Sequence, residues 1–317
     1  NVVLVGPGFD SNILDWSGCP NEGKCVNAPN CRIRSSRHGG TADVRNADVV
    51  VVFQGDWDQV PSQLHIPASN RAVTRVLYYR EALFRNPSVQ FQRKYVDFEM
   101  GVHYHSGVLN PGFLRAPSEL LSGTVRPYPR MDFLPPQARP FFAMSVISDC
   151  GAPSMRQAYL RHLTAYLGPK RIRQYGKCGT LTLPKKPLRN AALLISQHLF
   201  YFAFENTIQD GYVTEKLFTA LNLPVLPVYL GALNVPNITT TRSFIRASDF
   251  ASPKELAEYL VFLADHPAEY MRYHAWREQP NPFEPEYLDK LRRQVPGPDE
   301  LRAYHEQGYP KFPRTAA

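Results

Sequence analysis

The chain has no long hydrophobic run. None of its apolar stretches approaches the ~20 residues that span a bilayer, and no secretory leader stands at its start. It begins at Asn1 rather than at an initiator Met, so it reads as a piece excised from a longer protein. A membrane would then be reached only through a leader absent from this piece. The formal net charge is +8, yet Lys and Arg are scattered, with no block of the kind that forms a nucleic-acid tail. That argues against nucleic acid as the partner and fits a nucleotide-binding enzyme. Cysteine is scarce, with five in 317 residues. Cys19, Cys25 and Cys31 have five residues between successive members and no nearby His pair, which does not match the usual zinc patterns. Cys150 and Cys178 either close a loop as a disulfide, contributing about 3–4 kcal/mol, or stand as free thiols in a reducing compartment. Asn237-Ile238-Thr239 is the one N-glycosylation triplet not blocked by proline.

What is present is enough apolar material for a sizeable core, 44% of 317 residues, and a length that suits two domains. Val2 to Val5 reads as a strand. The segment from Ser17 to Gly40, rich in Cys, Asn, Gly and Arg, reads as a loop pinned by a cystine. Ala47 to Phe53 is a buried β-branched strand that runs into Asp56-Trp57-Asp58. Asp56 and Asp58 could hold a divalent metal on a nucleotide-sugar diphosphate, but the preferred reading is a turn capped by its own Asp side chains. Arg75 to Tyr79 is a further strand, with Glu81 just beyond its end; position alone makes Glu81 a surface carboxylate paired with Arg80 or Arg85. His103 and His105 lie two apart with no recognisable third metal ligand. Proline then crowds residues 115–139, the best linker candidate.

Strand and helix alternate after that linker. Phe141 to Ile147, Arg171 to Tyr175, Leu199 to Phe204 and Pro224 to Leu230 read as strands, and a helix runs from about Ser154 to Leu167. Arg156 sits in that helix's first turn, where a cation opposes the helix dipole and an anion nearby would explain it. The densest stretch is Leu199 to Gly231. An apolar strand breaks at Glu205-Asn206, a loop carries Asp210-Gly211, a helix starts near Tyr212 with Glu215 and Lys216, and a second strand stops at Gly231. Such βαβ units bind phosphates at strand carboxyl ends. Helices are expected at Ser252–Asp265, with Pro253 first, and at Pro267–Arg277; two short ones follow in the tail, split by Pro296-Gly297-Pro298. The expected division is a Rossmann-like domain over 1–139 ending in the linker, a second over 140–284, and a helical tail over 285–317.

These residues resemble the α1,3-fucosyltransferases of glycosyltransferase family 10. The likeness is carried by Phe202-Ala203-Phe204-Glu205-Asn206, Asp210, Tyr212-Val213-Thr214-Glu215-Lys216 and Pro227-Val228-Tyr229-Leu230-Gly231. Ser148-Asp149-Cys150-Gly151 through Arg156, Tyr175-Gly176-Lys177-Cys178, and Ser243-Phe244-Ile245 with Asp249-Phe250 through Trp276 follow in the right order. The resemblance implies an α/β protein of the GT-B type, two facing Rossmann-like domains with parallel sheets. It implies L-fucose transfer from GDP-β-L-fucose with inversion and no required metal cofactor. Lys216 and Arg156 would neutralise the pyrophosphate, and Glu215 would contact the ribose. Glu205 and Asn206 would line the donor pocket, with Tyr175 and Tyr212 on the nucleotide side. Arg80-Glu81-Ala82 resembles the family's acceptor-side segment, which raises Glu81 to the expected general base. The same pattern makes Cys150–Cys178 an expected disulfide. It implies a Golgi-lumenal protein, type II in its full length, acting on a glycoprotein glycan. The Cys-Gly-Ala run at Cys150 is similar to plant-type enzymes that fucosylate the innermost GlcNAc of N-glycans. Val102 to Gly107 departs from the family's usual acceptor-side sequence.

Overall fold

The computed structural model describes residues 2–5, 24–25, 28–35, 47–53, 73–79, 81–82, 97–103, 108–109, 135–184, 188–239, 241–278, 284–287 and 289. These fall into two compact units, one within residues 1–110 and one within residues 111–309. The metal candidates Asp56 and Asp58, His105, and most of the linker and tail lie outside the described residues.

In the first unit, Val2–Val5 (β1), Lys24–Cys25 (β2), Ala28–Ser35 (β3), Val49–Phe53 (β4), Thr74–Tyr79 (β5), Phe98–Gly101 (β6) and Val108–Leu109 (β7) form one sheet. Its order is β2-β3-β1-β4-β5-β6-β7, with parallel pairing throughout except between β2 and β3. The loop expected across residues 17–40 is thus corrected in part. Residues 28–35 are a strand, with Val2 opposite Ile33. The segment is polar and shows no strong local pattern; pairing with the apolar β1 makes it extended. Val50, Leu77 and Tyr79 of β4 and β5 are wholly buried, as a parallel sheet covered on both faces requires.

The second unit contains Phe141–Val146 (β8), Arg156–Leu167 (α1), Ile172–Tyr175 (β9), Leu188–Ser196 (α2), His198–Phe204 (β10), Glu215–Leu221 (α3), Leu226–Leu230 (β11), Ile245–Arg246 (β12), Pro253–Asp265 (α4) and Pro267–Arg272 (α5). Its five strands are all parallel, in the order β12-β11-β10-β8-β9. Strand order therefore reverses between β8 and β10: β9 lies on one side of β8 and every later strand on the other. In open α/β sheets that reversal leaves a crevice at the strand carboxyl ends, the usual ligand position.

The period of two along β10 divides its side chains between faces. Phe200, Phe202 and Phe204 join one buried cluster with Leu160, Leu163 and Leu167 of α1 and Leu256, Leu260 and Leu263 of α4. Burying each of those rings contributes roughly 1.5–3 kcal/mol. The alternate positions, Tyr201 and Ala203, look to the other face, and α3 packs on β10 and β11. The helix expected over Pro267–Arg277 ends at Arg272, and a 3-10 turn, Ala275–Glu278, follows. Arg139 is buried and donates to the carbonyl oxygens of His198 and Pro224, which ties the chain just before β8 to the starts of β10 and β11. Among the described residues no helix is long and apolar enough to cross a membrane.

Candidate active site

The candidate site is built on three loops that leave β8, β10 and β11 at their carboxyl ends. The first is braced by chemistry the sequence anticipated. Cys150 and Cys178 form a disulfide between the loops after β8 and β9. The amide of Cys178 also donates to the Ile147 carbonyl oxygen at 3.0 Å. Between them Gly176 has φ +91°, and a Cβ there would stand 2.9 Å from the Ile147 carbonyl carbon. Only glycine satisfies both constraints.

Ser154 ties the β8 loop to the end of β10. Its hydroxyl donates to the Glu205 carbonyl oxygen at 2.7 Å and its amide to the Asn206 carbonyl oxygen at 3.1 Å. Arg156 opens α1 and is almost wholly buried. Its guanidinium donates to the carbonyl oxygens of Phe204 (3.0 Å) and Asp149 (2.9 Å), bracing the same two strand ends. The cation at the helix start is thus used by main-chain acceptors, which satisfies the dipole argument without requiring a ligand.

Glu205 is the centre of the second loop. It is 0% exposed. Its amide donates to the Leu230 carbonyl oxygen at 2.8 Å, which binds the end of β10 to the end of β11. Its carboxylate accepts from the Thr214 amide (2.8 Å) and the Thr214 hydroxyl (2.8 Å to Oε2), and Lys216 Nζ stands 3.2 Å from Oε2. Burial raises its pKa, and the Lys216 charge works against that rise. The helix expected from Tyr212 begins three residues later, at Glu215. Gly211 turns the chain at φ +75°, and Thr214 is extended as the residue before the helix. Its hydroxyl does not cap α3 but reaches back to Glu205.

Lys216 Nζ has three acceptors in reach: Thr214 Oγ1 at 2.8 Å, Glu215 Oε1 at 3.1 Å and Glu205 Oε2 at 3.2 Å. Burial disfavours its charge, but the two carboxylates outweigh burial and hold its pKa above the ordinary lysine value. Glu215 answers in the opposite sense. Its side chain is largely exposed, but desolvation of the carboxylate end pushes its pKa up, and the Lys216 charge outweighs that, leaving a lowered value. Lys216 is therefore held as an ammonium and Glu215 as a carboxylate, while at Glu205 burial and the Lys216 charge pull in opposite directions. Gly231 closes the third side: a Cβ there would lie 2.7 Å from Glu205 Cγ.

The other predicted residues are distributed differently. Asn206 is buried beside Glu205. Tyr212 is buried too, and its carbonyl oxygen accepts from the Tyr229 hydroxyl at 3.4 Å. Tyr175 is turned away from this group. Its hydroxyl accepts from Arg173 Nε at 3.0 Å and its ring meets His198 edge-on at 6.4 Å. His198 opens β10 while Glu205 follows its end, so the two are roughly 20 Å apart along the strand. Glu81 is exposed two residues past the end of β5, in the first unit, with Ala82 wholly buried beside it. His103 is buried against the Tyr79 ring at 5.7 Å. Asn237 is exposed in a 3-10 turn, while Thr239 of its triplet is buried. Among the described residues no three His, Cys, Asp or Glu side chains converge as a metal would need.

Three site residues escaped sequence reasoning. Ser154 and Thr214 lay inside the quoted motifs without a role, since short hydroxyl side chains are read as caps by default. Tyr201 carried no signal at all within an apolar strand. It is buried on the α3 face, and burial first, then the fields of Glu215 and Glu205, drives its pKa up.

Residues 136–295, half of the 317-residue chain, match the family model for the C-terminal part of the family 10 fucosyltransferases. An α-(1,3)-fucosyltransferase C of Drosophila melanogaster is 35% identical over 131 residues, 41% of this chain and 30% of that protein. The human GDP-fucose protein O-fucosyltransferase 3 is 36% identical over 142 residues, 42% of this chain and 29% of that protein. A Caenorhabditis elegans α-(1,3)-fucosyltransferase is 27% identical over 283 residues, 87% of this chain and 60% of that protein. The chain thus spans less than two thirds of the length of these relatives. A crystal structure of an α1,3-fucosyltransferase superposes with a TM-score of 0.62 at 17% identity, covering 96% of this chain and 88% of that one. The same protein class with GDP-fucose superposes at 0.60, with 18% identity and 92% and 87% coverage. At such identity the likeness speaks for the fold, and it agrees with the expected α/β, GT-B type with parallel sheets. Fold, motif order and family model converge, and the chain belongs to glycosyltransferase family 10, the fucosyltransferases.

Proposed function

We propose that the chain transfers L-fucose from GDP-β-L-fucose to a hydroxyl group by a single inverting displacement. The observation that carries the reading is Lys216, held charged at the carboxyl ends of β10 and β11 by the buried Glu205. The diphosphate of the donor lies over this ammonium, and Glu215 meets the ribose. Arg156 adds its positive field from beneath while bracing the loops. Asn206 and Tyr212 line the pocket. The contribution of Tyr175 is to hold the β9 end of the unit rather than to touch the nucleotide.

In the displacement the acceptor oxygen attacks the anomeric carbon as the bond to the diphosphate oxygen breaks. The leaving electron pair goes to the diphosphate, whose charge Lys216 and Arg156 stabilise. The acceptor proton passes to the Glu81 carboxylate, and no covalent intermediate forms. The chemistry needs no metal in this scheme. Glu81→Gln should keep GDP-fucose affinity within about twofold and lower kcat by about 10²–10⁴. Loss of donor affinity instead removes Glu81 from the base role. Unchanged turnover in EDTA supports the metal-free scheme, and abolished turnover favours a metal-dependent route through Asp56 and Asp58.

For the acceptor we favour the 3-hydroxyl of GlcNAc in a glycoprotein N-glycan, in the Golgi lumen. The Cys150–Cys178 disulfide supports an oxidising compartment. The 36% identity to a protein O-fucosyltransferase supports a second reading, transfer to an oxygen of a protein acceptor. A panel of labelled GDP-fucose with N-glycan core, LacNAc and unglycosylated protein acceptors separates the two.

A further inference from the structure

Lys216 has three N–H bonds, and all three find acceptors within the chain. An anion that is to bind this ammonium must therefore displace one of them. The three acceptors are not equivalent. Glu205 is 0% exposed and is anchored by the Thr214 amide and hydroxyl. The Thr214 oxygen is fixed by its own donation to Glu205. Glu215 is the outlier, with 62% of its side chain exposed and its carboxylate at the open side of the pair. Moving the Glu215 carboxylate away gives up its bonds from Lys216, the Thr214 side chain and its own amide, but the carboxylate is exposed enough for water to replace them. Moving Glu205 would strand a buried charge.

From this geometry we propose that Glu215 is an exchangeable placeholder for a phosphate group on Lys216, while Glu205 and Thr214 form its permanent seat. An incoming diphosphate takes the third N–H of Lys216, and the Glu215 carboxylate swings off. Released, it can accept from vicinal hydroxyls elsewhere on the same ligand. One movement thus couples anion binding to hydroxyl recognition. A diphosphate carrying a ribose recovers the lost ion pair as hydrogen bonds, and a bare diphosphate does not. The inference rests on the proposed donor site and assigns it a discrimination between nucleotide and free diphosphate.

The test is isothermal titration of the full chain with inorganic pyrophosphate and, separately, with GDP, for the wild type, Glu215→Gln and Glu258→Gln. Glu258 pairs with Lys254 on α4, so its variant removes the same charge at another exposed ion pair of the unit. Glu215→Gln should bind pyrophosphate about three- to fivefold more tightly, the upper part of the range for removing a competing, partly exposed ion pair. Its GDP affinity should rise less or fall, so the preference for GDP over pyrophosphate narrows. Glu258→Gln should leave both within about twofold. Pyrophosphate affinity that is unchanged or weaker in Glu215→Gln overturns the exchange. An equal gain in Glu258→Gln overturns it too, since the effect would then be general charge. Wild-type failure to bind GDP while pyrophosphate follows the predicted pattern would sink the nucleotide-donor reading and leave the exchange standing.

Discussion

The Ser154 hydroxyl donates to the Glu205 carbonyl oxygen at 2.7 Å, across a sequence separation of 51 residues. This bond joins the loop after β8 to the end of β10 at the place where strand order reverses. Everything charged in the site hangs from that joint: Glu205 holds Thr214 and Lys216, and Arg156 braces the same loops from below. Ser154→Ala should therefore act on stability and ligand affinity together. A lost buried hydrogen bond with a stranded carbonyl costs about 1–3 kcal/mol. Thermal melting should report the loss, and GDP titration should show weaker binding in the same variant.

Lys216→Met should abolish measurable GDP binding and leave Glu205 buried without its counter-ion. Removing one partner of such a pair costs about 3–5 kcal/mol. The sign with pH follows. In the wild type the Glu205 pKa is already raised by burial, and losing Lys216 raises it further. A carboxyl with a raised folded pKa favours the folded state below its unfolded pKa and loses that contribution as pH rises through the folded value. The variant should thus regain relative stability towards acid pH. Denaturant unfolding at a series of pH values checks this, and a penalty constant across pH would contradict the pairing.

Gly231→Ala introduces a methyl group at 2.7 Å from Glu205 Cγ, beside the Tyr229 ring. Neither neighbour has room to retreat, since both are wholly buried. Overpacking of this kind costs about 1–3 kcal/mol. The distinctive expectation is a drop in GDP affinity larger than that of Ala232→Ser next to it, because the strain falls on the carboxylate that seats Lys216.

Reduction of Cys150–Cys178 should lower stability by about 3–4 kcal/mol, as expected for the 28-residue separation it closes. Melting with and without dithiothreitol, and with Cys150→Ser, should give the same decrease. A reductant effect that persists in Cys150→Ser would point to the cysteines at 19, 25 and 31.

His198 is wholly buried, and its pKa is pushed down to about 4, chiefly by burial, with Arg173 and Arg139 adding to the effect. A histidine with a depressed folded pKa contributes stability above its unfolded value near 6.5, and that contribution is lost as pH falls towards the folded value. Acidification from pH 6.5 to 4 should therefore cost up to about 3 kcal/mol from this residue. His198→Phe, which keeps a ring between Phe141 and Tyr175, should flatten the stability curve in that window. The flattening will be partial, because His274 is also held neutral by burial.

Much of this protein is legible in its residue order. Apolar runs such as the six residues Leu199 to Phe204 read as strands because they are too short for a buried helix and rich in aromatics, and all seven residues of β10, which adds His198, are buried. Pro253 and Glu255 place the start of α4, with Ser252 accepting from the Glu255 amide as a local capping rule requires. The motif around Glu205 and Lys216 marked the candidate site. Local chemistry determines these features, and each needs only a few neighbouring residues.

Tertiary structure decided the rest. Strand order cannot be read from the runs themselves, so the reversal between β8 and β10 emerges only from pairing over long separations. Residues 28–35 lack a strand pattern and became β3 through their partner. Tyr175 carried a motif's promise, but the side it faces depends on Arg173 and His198. The division of labour around Lys216 is of the same kind. Glu205, Thr214 and Glu215 are letters of one motif, and burial alone separates the carboxylate that must stay from the one that is free to leave.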